Sequence, residues 1–132
     1  MFRRPQVNFY VRDVEAATCF YRDLLGFTET FRTPRQGAPA HVELSLDGFT
    51  LGLASLESLR TVHGVAGSAD APPRGELVLW TEDVDDQIAF LTAKGVRVLS
   101  PPHDFAGSLR AAWIADLDGN PVQIVVRRLD NA

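Results

Sequence analysis

Asp116-Leu-Asp-Gly-Asn-Pro-Val-Gln-Ile-Val-Val126 is the stretch on which the reading of the fold turns. Its first half is tight-turn chemistry. Gly119 tolerates positive φ, Asp and Asn side chains bond nearby backbone, and Pro121 forbids a helix. Its second half, Val122 to Val126, is a β-branched run broken by one polar residue, Gln123. A polar residue in that setting faces either water or a site. The same turn-plus-strand occurs earlier as Asp47-Gly-Phe-Thr-Leu-Gly-Leu-Ala54. Setting Asp47-Gly48 on Asp118-Gly119 is a shift of 71 residues and places Gly52 against Gln123. That echo is the first sign of a duplicated chain.

Working outward, the pattern before the first turn is regular. Gln6, Asn8 and Tyr10 alternate with Val7, Phe9 and Val11, which reads as a half-buried strand. Asp13 suits a helix N-cap, with Glu15 in the first turn where a carboxylate complements the helix dipole. Ala17, Phe20, Tyr21, Leu24 and Leu25 give one apolar helical face, closed by Gly26. Phe27 to Phe31 reads as a short strand, Pro34 to Pro39 as a loop, and His41 to Leu46 and Phe49 to Ala54 as a hairpin. The pattern then returns. Glu76 to Trp80 is a strand, Asp83 an N-cap, and Val84, Ile88 and Leu91 a helical stripe closed by Gly95. Val96 to Leu99 follows as a strand, Pro101 to Gly107 as a loop, and Leu109 to Ala115 as the strand that turns into the last one.

Overlaying Asp13-Val14-Glu15 on Asp83-Val84-Asp85 requires a shift of 70 residues, which also pairs Val7 with Leu77, Tyr10 with Trp80 and Phe20 with Phe90. Two copies of βαβββ therefore account for nearly the whole chain: module one at about 5–55, a connector at about 56–75, and module two at about 76–127. The connector, with Gly64, Gly67 and Pro72-Pro73, admits at most a helical turn at its start. A duplicated unit of this size normally packs about a pseudo-twofold axis, because neither half buries its sheet face alone. The expectation is one α+β domain with a single curved, eight-stranded sheet.

Composition narrows the function classes. At 132 residues the chain has room for one domain. A net charge of −4, with a single lysine, Lys94, argues against nucleic acid and against a polybasic membrane patch. No apolar run is long enough to span a bilayer, and there is no signal-peptide core, so a soluble, cytoplasmic protein is expected. The lone Cys19 excludes an intramolecular disulfide and a cysteine-based zinc site, and it sits among apolar helix positions as a small buried hydrophobe.

The repeat also makes Gln6 equivalent to Glu76 and Gly52 equivalent to Gln123, and sets all four on the concave face of the shared sheet. Asn8, Tyr10, Val78 and Trp80 belong to that face by alternation, while Val7, Phe9, Leu77 and Leu79 pack under the helices. An apolar cleft with a few convergent polar groups is the usual ligand-site pattern.

The ordered motifs Asp13-Val14-Glu15, Phe20-Tyr21-Arg-Asp-Leu24-Leu25-Gly26-Phe27, Asp83-Val84-Asp85 and Asp116-Leu-Asp118-Gly119-Asn120 resemble the vicinal oxygen chelate superfamily. That is the group of glyoxalase I, bleomycin-resistance proteins, extradiol dioxygenases and fosfomycin-resistance enzymes. The resemblance covers roughly residues 5–127. It implies two tandem βαβββ modules forming a cup-shaped mixed sheet with helices on its convex side, usually in a homodimer. Metal-using members place one ligand at each of the four repeat-related positions, which here hold Gln6, Gly52, Glu76 and Gln123. Histidine or glutamate usually fills most of them. One carboxylate, two neutral amides and a glycine make a poor set for a transition metal, so no metal cofactor is expected. If a divalent ion binds, Gln6, Glu76 and Gln123 are its ligands, with water completing the shell.

Other residues offer chemistry. His41 begins a strand and faces the cleft with Glu43 and Ser45, where it can serve as a base or a ligand contact. His63 and His103 sit beside Gly and Pro in a connector and a loop, and surface exposure without a role is expected for both. Trp80 is placed to stack a flat organic ligand, with core filling as the alternative; the face of Trp113 is ambiguous. Arg110 offers a contact for an anionic ligand at the cleft mouth. Three functions follow. The first is a metal-independent protein of the bleomycin-resistance type that binds a small organic molecule through Gln6, Asn8, Tyr10, His41, Trp80, Trp113 and Gln123. The second is a metal-dependent lyase, isomerase or dioxygenase using Gln6, Glu76 and Gln123. The third is a metal-free enzyme with Glu76 as general base, its pKa raised by burial among Val78 and Trp80. The first is the reading adopted.

Overall fold

The computed structural model describes residues 1, 3–67, 70–71 and 73–128; part of the predicted connector, Pro72 included, lies outside them. The chain divides between residues 72 and 73 into two compact units. The first contains strands β1 (Val7–Val11), β2 (Thr28–Thr33), β3 (His41–Leu46) and β4 (Phe49–Ser55), and helices α1 (Val14–Cys19) and α2 (Leu56–Thr61). The second contains β5 (Leu77–Trp80), α3 (Val84–Ala93), β6 (Val98–Phe105), β7 (Leu109–Ala115) and β8 (Pro121–Arg127). The eight strands form two four-stranded sheets, ordered β1-β4-β3-β2 and β5-β8-β7-β6. In each, the first strand runs parallel to the last and the other pairs are antiparallel. These are two tandem βαβββ modules of an α+β fold. Among the described residues no helix is long and apolar enough to cross a membrane.

The helices begin alike. The Asp13 carboxylate accepts from the Ala16 N–H at 3.0 Å, and Asp83 accepts from the Asp86 N–H at 3.0 Å. They end alike as well, at Gly26 (φ 84°) and Gly95 (φ 83°), a conformation glycine adopts without a Cβ penalty. Between cap and glycine they differ by one residue: Gly26 lies thirteen positions after Asp13, but Gly95 lies twelve after Asp83. The extra residue is taken up as a π-helical turn over Phe20–Leu24 that continues α1. Its closing bond runs from the Phe27 N–H to the Tyr21 carbonyl, one residue longer than the matching bond from Val96 to Leu91.

The two Asp-Gly turns have different geometry. Asp47 (φ 48°) and Gly48 (φ 83°) make a two-residue hairpin between Leu46 and Phe49, with both central residues left-handed. The later loop is longer, since Ala115 pairs with Pro121. It is built on Asp116, which is buried. Asp116 Oδ1 accepts from the backbone N–H of Asp118 (2.9 Å) and Asn120 (2.8 Å), and Oδ2 from the Asn120 side-chain amide (2.8 Å).

Each sheet has one face under its helices. In the first unit Val42, Leu44, Leu51 and Leu53 are fully buried, with Phe20, Tyr21 and Phe27 packed edge-to-face on their side of the unit. In the second, Leu77, Ile114, Val122, Ile124 and Leu91 are buried. Three expectations need correcting. The strands hydrogen-bond as two four-stranded sheets, not as the single eight-stranded sheet expected. Val7 is 48% exposed: burial rises along β1 toward the end that leads into α1, and Val7 is at the other end. The segment from Pro101 is a strand rather than a loop. β6 is the edge of its sheet, where prolines break no ladder on the open side, and the register shifts around Ser100 absorb them.

Candidate functional site

Strand register decides which side chains share a face. In the first unit Asn8 pairs with Gly52, Gly52 with Glu43 and Glu43 with Phe31, so these four form a row across the sheet on the face away from α1. The next row is Tyr10, Ala54 and His41. In the second unit the matching row is Val78, Gln123, Trp113 and Ser100, followed by Trp80, Val125, Ala111 and His103. Gly52 and Gln123 therefore occupy equivalent places, as the repeat requires.

The first row is polar and connected. Gln6 Nε2 donates to Asn8 Oδ1 at 2.8 Å and lies 3.4 Å from Glu43 Oε2. His41 Nε2 is 3.0 Å from the same Glu43 oxygen. Since an ionised carboxylate only accepts, that ring nitrogen carries the hydrogen. Gly52 makes this possible. A Cβ built there would meet Asn8 Oδ1 at 2.0 Å and His41 Cε1 at 3.1 Å, so the glycine leaves the hollow into which both side chains lean. The Phe31 ring stands 6.2 Å from the His41 ring and is half exposed, as is Tyr10. Sequence reasoning placed Glu43 beside His41 but gave it no role; the glycine opposite it was the signal that its face is open.

The open face of the second unit carries aromatic side chains from neighbouring rows. Trp113, whose face the sequence left ambiguous, lies on the open face, and its Nε1–H donates to Glu76 Oε2 at 2.6 Å. The His103 ring stacks on Trp113 with centroids 5.7 Å apart and planes at 18°, and Phe105 stands 6.2 Å from the indole. His103 Nδ1 is 2.8 Å from the Pro101 carbonyl, which only accepts, so Nδ1 carries a hydrogen and the ring is held over the indole. His103 and Phe105 were missed because the sequence put them in a loop. Trp80 is 61% exposed, which removes core filling as its role. Glu76 and Val78 are exposed too, so the burial expected around Glu76 is absent. His63 is exposed, as expected, and Cys19 is half-buried with its Sγ 3.6 Å from Arg22 Nη2.

Arg110 is not free for an anionic ligand. It lies on the helix side of β7 and forks onto Asp85 of α3 with two 2.8 Å bonds, while Nη1 reaches Asp104 at 3.2 Å. These bonds hold the Asp85 carboxyl below its ordinary range and raise Arg110. The first unit has a counterpart: Arg32 of β2 forks onto Glu29 (2.8 and 3.0 Å) and also bonds Glu15, the residue equivalent to Asp85. Each arginine ties the first turn of a helix to the sheet beneath it.

Of the four positions at which the resemblance to metal-using proteins places ligands, Gln6 and Gly52 lie in the first unit and Glu76 and Gln123 in the second. Gln6 and Glu76 are engaged by the contacts above, and Gly52 has no donor atom. Among the described residues no group of three or more His, Cys, Asp or Glu side chains is arranged to hold a metal ion.

Three solved structures show the same fold. A glyoxalase-related enzyme from Fulvimarina pelagi superposes with a TM-score of 0.78 at 23% identity, covering 96% of this chain and 89% of that one. TioX from Micromonospora sp. ML1 gives 0.75 at 23% identity, covering 96% and 100%. Lactoylglutathione lyase from Agrobacterium tumefaciens gives 0.70 at 21% identity, covering 98% and 97%. No curated protein matches the sequence significantly. The family model of the Glyoxalase/Bleomycin resistance protein/Dioxygenase superfamily matches residues 3–124. With its paired βαβββ modules and that match over almost its whole length, the chain belongs to the Glyoxalase/Bleomycin resistance protein/Dioxygenase superfamily.

Proposed function

We propose that the protein is a small-molecule binding protein of the bleomycin-resistance type, which holds an organic ligand against aromatic side chains without a tightly bound metal. One observation carries this reading. Glu76, the only carboxylate at the four metal-holding positions, accepts the Trp113 indole N–H, so its charge orients an aromatic surface. The His103 stack behind the indole fixes that surface, and a fixed aromatic face binds a flat ligand at low entropic cost. The remaining positions offer two amides and a glycine, a donor set that does not fit a transition-metal centre. We also propose that the chain acts as a homodimer; the exposed Val7, Tyr10, Val78 and Trp80 favour it, and light scattering that shows a monomer overturns it.

Both tryptophans lie in the second unit, so their fluorescence reports ligand arrival there. Titration with a panel of flat aromatic compounds should quench it, with or without chelator. Trp113→Ala should weaken binding about tenfold, equivalent to ~1.4 kcal/mol. Glu76→Gln keeps an acceptor for the indole and should change affinity by no more than about threefold. Loss of binding on chelation, or metal-dependent turnover that collapses in Glu76→Gln, would instead favour the metal-dependent lyase or dioxygenase reading.

A further inference from the structure

The open face of the first sheet is rich in hydrogen-bond acceptors. Asn8 Oδ1 and Glu43 Oε2 both point at one nitrogen, the Gln6 amide, which lies 2.8 Å from the first and 3.4 Å from the second. A primary amide NH2 held between a carbonyl and a carboxylate occupies the place that an NH2 of an amidinium or guanidinium ion would take. The Gln6 contact with Glu43 is at the long limit of a hydrogen bond, and Gln6 is exposed just before β1, so a charged donor can displace it. Among the described residues the two bonds to the Glu43 carboxylate both fall on Oε2, from Gln6 and His41. That leaves Oε1 for the second arm of a planar fork. No side chain rises from Gly52 in the middle of the row, and the Asn8 amide leans into that space, which sets its Oδ1 on the same side as the Glu43 carboxylate. Phe31, half exposed beside His41, offers a ring face to the cation or to an aromatic ring attached to it.

We infer that this face binds a planar organic cation, an amidinium or guanidinium carried on a small molecule, with Glu43 as its counter-ion and Phe31 as its aromatic wall. His41 is a positioning residue: its Nε2–H fixes the carboxylate rotamer. The inference rests on the small-molecule binding reading and names the charge of a ligand that the first unit's face would take.

Benzamidine and benzamide provide the test, because they share shape and differ in charge. Calorimetric titration of the full chain should give a benzamidine affinity at least about tenfold above that of benzamide at low salt. The ratio should fall toward one in Glu43→Gln, and rising salt should reduce it. Gly52→Ala, whose methyl would displace the Asn8 amide from the space it occupies, should weaken both compounds. Glu82→Gln, which removes an exposed carboxylate of the other unit, should leave the ratio unchanged. Equal affinities, absence of benzamidine binding, or a ratio that survives Glu43→Gln overturns the inference. So does benzamidine acting only by dissociating a self-associated form, since the cation is then an arginine of a second copy. Aromatic compounds that still quench the tryptophans in that event leave the binding reading standing; loss of both removes both.

Discussion

Replacing Asp116 with alanine removes, at once, the acceptor for the backbone N–H groups of Asp118 and Asn120 and for the Asn120 amide. Those donors sit in a part-buried loop, so their lost bonds are only partly replaced by water. The expected cost is about 2–3 kcal/mol, read as a lower midpoint in urea denaturation with an unchanged slope. A shift below about 0.5 kcal/mol would show that Pro121 and Gly119 hold the turn without it. At this scale the sequence was informative about register and less so about partners. Alternation and the 70-residue repeat set Asn8, Gly52, Trp80 and Gln123 on their observed faces. They did not show that Asn8 fills the space over Gly52, nor that Trp113 bonds Glu76, because those contacts join strands far apart in the chain. Arg110 was misread for a related reason. Its neighbours Leu109 and Ala111 say little about face, and the partner that fixes it, Asp85, lies 25 residues earlier.

Among the elements, the two arginine clamps make a pH-dependent contribution whose sign follows from Asp85. Its folded carboxyl is lowered from 3.8, chiefly by the hydrogen bond from Arg110. The folded state therefore binds this proton less readily than the unfolded chain. The stabilisation is fully present above about pH 4 and is lost as pH falls through the lower folded value. Glu29, lowered from 4.5 chiefly by its hydrogen bond from Arg32, acts in the same direction in the first unit. Asp85→Asn should thus lower Tm by its full amount at neutral pH and by progressively less as pH falls, which flattens the acid limb of a Tm-against-pH profile. An unchanged acid limb would mean that solvent screens the pair entirely. Helix boundaries were legible because caps are local: Asp13, Gly26, Asp83 and Gly95 announce themselves. β6 was not legible. Pro101-Pro102 reads as a break until the sheet order shows that the strand is at an edge.

For the molecule as a whole, duplication explains most of what is seen. The two units repeat strand order, helix caps, glycine closures and arginine clamps, yet their open faces differ. The first carries Gln6, Asn8, His41 and Glu43 as a polar network; the second carries Trp80, His103, Phe105 and Trp113 as an aromatic surface. Helix-side positions are apolar in both units because each packs under its helices, whereas the open-face positions differ between the units. The metal content of the purified, untagged protein, measured by elemental analysis after incubation with nickel, zinc, manganese and iron(II), tests the central claim most directly. The account predicts far less than one ion per chain under every condition, with aromatic ligands still bound. Close to one ion per chain, lost in Glu76→Ala, would contradict it.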